Sequence, residues 1–327
     1  MSNDSFYSKL KKLMLDNALA FLALLFLRFF MLYLLPGSQV DLLIDNDLNV
    51  GDNSVFVESL TQKLGLDKSV WGQFFDWSAK ILQGDFGYSY IHASPVSTLV
   101  FEAIVWTLAL VVLSIPISLI MGVSLGILAG SHGDNKISKI LFGLMTLISS
   151  IPSFVIALIL LTIFSFNLNW FPSDGGGMSL QARITGEAQW VDIIWHGFLP
   201  LIAVSFQASL RYFYLSYGLS EQVSRRPFIF FAKMRGVRGT RLYFSWYLPN
   251  IIPEVLSKLS STLPGIISSM IFVEIIFSYP GAGSLMLDAI NNRDYALLQG
   301  CLVIVGGCVL ILNTALDLAS VALAERG

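Results

Sequence analysis

Six apolar segments divide the chain, each about as long as the roughly 20 residues a helix needs to cross a bilayer. They run near Asn17–Leu35, Ile104–Leu128, Ile140–Phe166, Ile193–Tyr217, Val255–Phe277 and Leu297–Leu323. Between them, basic and non-basic stretches alternate. Lys9, Lys11 and Lys12 precede the first segment, and Lys136 and Lys139 follow the second. Arg225, Arg226, Lys233, Arg235, Arg238 and Arg241 follow the fourth, with no acid from Arg225 to Asn250. The stretches after the third and fifth carry one Arg each. Lys and Arg stay on the cytoplasmic side, so six spans with both termini cytoplasmic are predicted. The first segment is too long for a signal-peptide core and lacks a small-residue cleavage site after it, so it is expected to be a retained span.

This pattern partitions the chain into a cytoplasmic N-terminus (1–16), a first transmembrane helix (17–35), an extracytoplasmic segment (36–96) and a core of five further helices (97–327). The extracytoplasmic segment is acidic, with Asp41, Asp45, Asp47, Asp52, Glu58, Asp67, Asp76 and Asp85 against Lys63, Lys68 and Lys80. Trp71, Phe74, Phe75 and Ser78 recur there at helical spacing. A small folded cap near the membrane surface is one reading, a poorly ordered connector the other. Pro116, Pro152, Pro200 and Pro264, with Gly122 and Gly126, mark kinks and close helix packing. No inverted repeat is visible, which counts against a secondary transporter.

Composition agrees: 55% of the 327 residues are hydrophobic and 13% charged, as in polytopic membrane proteins. Cys301 and Cys308 lie about 10 Å apart along one helix, too far for a disulfide. His92, His132 and His196 are too scattered to suggest a metal site. No G-x-x-x-x-G-K-[ST] phosphate loop occurs, so any ATP that drives this chain is hydrolysed elsewhere. The basic stretch comes without a recognition fold, and no nucleic-acid partner is expected.

That basic stretch is also too apolar for an ordinary loop. Phe228, Ile229, Phe230, Phe231 and Met234 precede Gly236. Pro227 suits a first helical turn, Lys233 and Arg235 a last turn, and Gly236 a C-terminal stop. A helix over about Pro227–Arg235 is predicted. Arg238, Gly239 and Thr240 then turn the chain into a second helix near Arg241. The exposed apolar face of the first helix requires a covering partner.

Ala232, Gly236 and Leu248-Pro249 resemble the cytoplasmic EAA loop of binding-protein-dependent ABC importer permeases. Further stretches resemble the dipeptide/oligopeptide/nickel branch: Leu34-Leu35-Pro36-Gly37, GDFGYSY over Gly84–Tyr90 with Pro95-Val96, SIPSF over Ser150–Phe154, VEIIFSYPGAGSLMLDAINNRDY over Val273–Tyr295 with Gln299-Gly300, and Asn313 with Asp317. The resemblance covers nearly everything after Leu34. It implies an all-α, six-helix type I importer permease in the bacterial inner membrane. It also implies a second, related permease subunit, two ATPases that bind ATP and Mg, and an extracytoplasmic solute-binding protein. Short peptides are the first expectation for substrate, with nickel chelates or oligosaccharides as alternatives. A channel or carrier working without an ATPase, or an anchor that only recruits one, are readings of another class.

In this resemblance the loop around 218–250 carries the coupling helix. Phe228, Phe230, Phe231, Ala232, Lys233, Arg235, Gly236, Leu248 and Pro249 are the expected coupling residues. Phe230 and Phe231 stand where the family places the first two residues of the EAA name, so docking there is expected by packing rather than charge. Ser278, Tyr279, Pro280, Gly281 and Gly283 form a turn sequence, which the resemblance places at the outer gate. A simple re-entry turn is the other reading. Glu274 either lines the path, pairs with a companion subunit, or fixes the following turn by a hydrogen bond. Arg211 is read as near the inner end of its span and able to snorkel, and Arg28 as facing another helix.

Overall fold

The computed structural model describes residues 2–33, 68–132, 135–173 and 190–324. The described residues fall into two compact bodies, one within 1–104 and 285–310, the other within 105–284 and 311–327. The first begins with α1, Ser2–Tyr33, and α2, Val70–Leu82. Ser69 caps α2 by accepting the Gly72 N–H, the usual role of Ser at that position. Trp71, Phe74 and Trp77 of α2 meet Phe29 and Phe30 of α1, with ring centroids 5.4 Å apart for Phe29–Phe74, 5.5 Å for Phe30–Trp71 and 5.9 Å for Phe29–Trp77. The helical spacing read from the sequence is thus an aromatic seam on the first span. Residues 34–67, which hold the Leu34–Gly37 stretch and the first part of the acidic segment, lie outside the described residues.

A two-stranded hairpin follows, β1 (Tyr88–Ser89) paired antiparallel with β2 (Ser94–Pro95). Gly84 and Gly87 enter it with φ of +82° and +88°, which is why the GDFG stretch needs glycine there. In the same body, Ser89 donates to the buried carboxylate of Asp294. Asp294 also accepts the Leu297 N–H at 3.0 Å, capping the last helix, Tyr295–Ala324. Val96, Val100, Ala289, Leu297, Leu298, Cys301 and Ile304 make the core of this body. Arg28 has one guanidinium nitrogen enclosed and unpaired among the described residues.

The second body contains most of α3, Val96–Gly130. The broken third segment follows as α4, Lys136–Ser149, and α5, Ser153–Leu160, which widens into a π-helical stretch over Leu161–Asn167. Next come α6, Trp190–Ser224, α7, Pro227–Met234, and α8, Gly239–Leu242. A π-helical turn, Tyr243–Tyr247, then leads into α9, Leu248–Ser257, and α10, Leu259–Ile276. The remaining helices are α11, Ala282–Asn291, and α12, Tyr295–Ala324.

Among the described residues, five helices are long and apolar enough to span a membrane, six if the bent pair counts as one. That pair is the third segment expected over Ile140–Phe166, and the kink marked by Pro152 is a full break. Lys136–Ser149 and Ser153–Asn167 meet at 99°. Pro152 has no N–H to give and holds Ile151 out of the helical region. The hydroxyls of Ser149 and Ser150 take the freed helix-end carbonyl of Thr146. The fifth expected segment, Val255–Phe277, is α10 with the last residues of α9 before it.

The α3–α6 contact explains the glycines. Gly122, Gly126 and Gly130 lie one turn apart on α3. A Cβ added to them would fall 2.3 Å from the Ser209 carbonyl oxygen, 2.6 Å from that of Phe213 and 2.5 Å from that of Tyr217. Backbone cannot yield at such distances, so this stripe sets how closely the two helices approach.

Candidate functional site: a docking helix and a buried carboxylate

α7 is built as its sequence suggests at both ends. Pro227 occupies its first turn. At its other end Gly236 takes φ +80°, the Val237 N–H reaches the Ala232 carbonyl at 3.1 Å and the Gly236 N–H that of Lys233 at 3.0 Å. Those two bonds are the paired closure of a glycine-stopped helix. The helix ends at Met234, one residue short of the sequence expectation, because Arg235 is already its cap. The second helix starts at Gly239, φ +58°, two residues ahead of the expected Arg241.

The apolar run splits into two faces. Ile229 and Ala232, one turn apart, are 0% and 1% exposed. Ile229 packs with Val123 and Ile127 of α3, Tyr212 of α6, and Tyr247, Ile251 and Val255 beyond the loop. Phe228 stacks on Trp246 at 6.2 Å and 22°. The Tyr247 hydroxyl pairs with Ser224 at 2.8 Å, and Tyr243 donates to Ser124 at 3.2 Å. Leu248 is half-buried in the same cluster and Pro249 exposed. On the outer face Phe230, Phe231 and Met234 are 61%, 63% and 73% exposed, flanked by exposed Lys233, Arg235 and Gly236. Of the predicted coupling residues, Ala232 is therefore a seat for the helix, and Phe230 and Phe231 form its free edge. Ile229, absent from the predicted set, anchors α7. Its i, i+3 relation to Ala232 was the available signal.

The second constellation surrounds Glu274, which is 0% exposed. Its carboxylate accepts the Gly283 N–H at 2.6 Å and the Thr107 hydroxyl at 2.6 Å. Thr107 in turn accepts the Ala282 N–H at 2.9 Å. One carboxyl on α10 thus ties down the loop that follows it and the start of α11. The glycines serve this closure, not the chain reversal first read into them. A Cβ on Gly281 would lie 2.2 Å from Glu274 Oε1, and one on Gly283 2.8 Å from the Ile271 Cα. The positive φ of the loop falls on Ser278, at +47°, whose exposed side chain tolerates it. The Ser284 hydroxyl donates to the carbonyls of Tyr279 and Gly281 at 2.6 and 2.8 Å. Tyr279 is buried against Trp106, centroids 5.9 Å apart. Burial, and next the nearby Glu274, raise its phenol above its ordinary pKa. Pro280 is half-buried. Thr107 escaped the sequence reading, since one threonine 167 positions away carries no local signal. Among the described residues no group of three His, Cys, Asp or Glu gathers as a metal site.

The fold is that of a polytopic helical membrane protein, with an exposed aromatic edge on the helix after its fourth apolar segment and a locked loop after its fifth. Residues 122–326 match the family of binding-protein-dependent transport system inner membrane components, and the chain belongs to that family. A Brucella ovis protein described as a peptide permease is 31% identical over 93% of this chain and 94% of its own. The oligopeptide transport system permease protein AppB of Bacillus subtilis is 29% identical over 91% and 92%. The nickel import system permease protein NikB of Staphylococcus aureus is 27% identical over 91% and 84%. The chain is thus a multi-pass permease subunit of an ABC importer, a transport component rather than an enzyme.

Proposed function

We propose that this subunit forms half of the path by which an ATP-driven importer takes up a short peptide. Its termini and α7 lie in the cytoplasm, a second related permease subunit completes the path, and an extracytoplasmic binding protein delivers the solute. Two partner ATPases hold ATP and Mg. Peptide is favoured over nickel chelate because relatives matching over most of the chain, AppB among them, are named for peptides.

The observation that carries the coupling role is the split of α7 into an anchored face and a free aromatic edge. Phe230, Phe231 and Met234 offer apolar area with no cover among the described residues, while Ile229 sits in the cluster that joins α3, α6 and α9. A load on the aromatic edge is therefore passed to the spans by packed side chains, which transmit displacement because interiors are close-packed. Engagement of the ATPases would bias the spans between two arrangements. The Glu274 lock holds the loop of the proposed outer gate, Ser278–Gly283, in a single conformation.

Phe230→Asp with Phe231→Asp tests this. Both side chains are exposed, so insertion and folding should persist. Copurification of the ATPases and peptide uptake into vesicles should be lost. A double variant that retains both ATPases and normal uptake refutes the docking assignment.

A further inference from the structure

The exposed side of α9 and α10 is not what lipid selects. Glu254, Ser257, Lys258, Ser261, Pro264 and Ser268 are exposed along it, before Phe272 ends the row. On α3 the exposed residues include Val105, Val112, Leu113, Ile120 and Leu128, the apolar set expected against acyl chains. Two spans of one protomer with opposite exposed faces have different surroundings, and the polar one faces water or protein.

Arg211 of α6 lies on that polar side. The side chain is exposed, and its guanidinium rests in the notch left by Gly265 of α10. A Cβ there would fall 2.4 Å from both terminal nitrogens and 2.6 Å from the central carbon. Gly265 is six residues into α10, about 9 Å along the axis. The guanidinium is therefore level with the first third of α10, where Gly265 leaves room for it. Among the described residues no carboxylate pairs with it. The hydroxyls of Ser257, Ser261 and Ser268 donate back to carbonyls of Glu254, Lys258 and Pro264. The row is thus polar but spends its protons on its own helix, and Arg211 supplies the charged donor fork.

We infer that Arg211, seated on Gly265, is an anion-holding site on the membrane path and takes the carboxylate of the transported solute. The inference rests on the peptide-importer reading, since a short peptide carries such a group at its C-terminus. A guanidinium matches a carboxylate with two parallel N–H···O bonds. One fork, with no second donor from the hydroxyl row, holds the solute while still permitting release, as a conducting site must. A carboxylate of the second permease subunit is the competing source of the same chemistry.

The test uses the whole importer in proteoliposomes, with trialanine as free acid and as C-terminal amide, each preloaded on the binding protein. Wild type should take up the acid about tenfold faster than the amide, the scale of a charged hydrogen bond. Arg211→Gln should bring that ratio near one, and Arg211→Lys should retain part of it. Gly265→Ala, which keeps the charge but fills the notch, should also lower the ratio. A wild-type ratio near one, or a wild-type ratio retained in Arg211→Gln, overturns the inference. So does loss of the second permease subunit on purifying Arg211→Gln, which assigns the fork to a partner's carboxylate. Uptake of neither peptide by wild type sinks the peptide reading itself, and the solute named here with it.

Discussion

Gly281→Ala isolates the Glu274 lock. The three atoms nearest a Cβ at position 281 all belong to the Glu274 carboxyl group, at 2.2, 2.2 and 2.4 Å. The carboxyl has no free volume to enter, being fully buried. Displacing it strips the Gly283 N–H and the Thr107 hydroxyl of their partner. A buried polar group left unpaired costs about 1–3 kcal/mol, so two make Gly281→Ala destabilising by about 4 kcal/mol. That is a large share of a folded protein's margin of about 5–15 kcal/mol. Glu274→Ala removes the same bonds and should cost a similar amount. The double variant should cost little more than either single one, because the new methyl then enters space the carboxyl has left. The predicted coupling is about 3 kcal/mol, the upper end for residues in contact. Heat-induced unfolding of the detergent-solubilised subunit, followed by size exclusion for both single variants and the pair, measures it. Additive losses would refute the account, since they would mean that Gly281 is needed for some reason other than room for Glu274.

Further outcomes follow from the same geometry. Gly126→Ala drives a methyl into the Phe213 carbonyl at 2.6 Å and should sharply lower the yield of folded subunit in membranes. Gly143→Ala meets nothing within 4 Å and should match wild type. Gly236→Ala, at φ +80°, should lose about 1 kcal/mol and weaken ATPase-coupled uptake, whereas Ser278→Gly relieves a positive φ and should leave stability equal or slightly higher in the same thermal assay. Glu274→Gln keeps the shape and one acceptor, so it should reduce assembly yield by less than Glu274→Ala and leave uptake per assembled complex near normal.

The sequence by itself determined the class. Hydropathy located the apolar segments, because a bilayer of fixed thickness demands helices of a minimum length. Pro227 and Gly236 marked the ends of α7, since helix starts and stops depend on residues within one turn. The five family-like stretches then identified the family. What the tertiary structure decided were relations between distant positions. That Ala232 is a seat and Phe230 an edge depends on where α3 and α6 lie, because a run of apolar residues does not say which side is covered. That Glu274 fixes a loop depends on Thr107, brought to it by folding alone. The glycines changed meaning for the same reason: at Gly281 and Gly283 a turn-like sequence conceals a steric requirement set by Glu274 and Ile271. Pro152 was visible as a breaker, but a proline says only that a helix is disturbed. The 99° bend depends on what the two halves pack against. That Gly265 of α10 makes room for the guanidinium of Arg211 on α6 is another such relation, since neither residue signals the other along the chain.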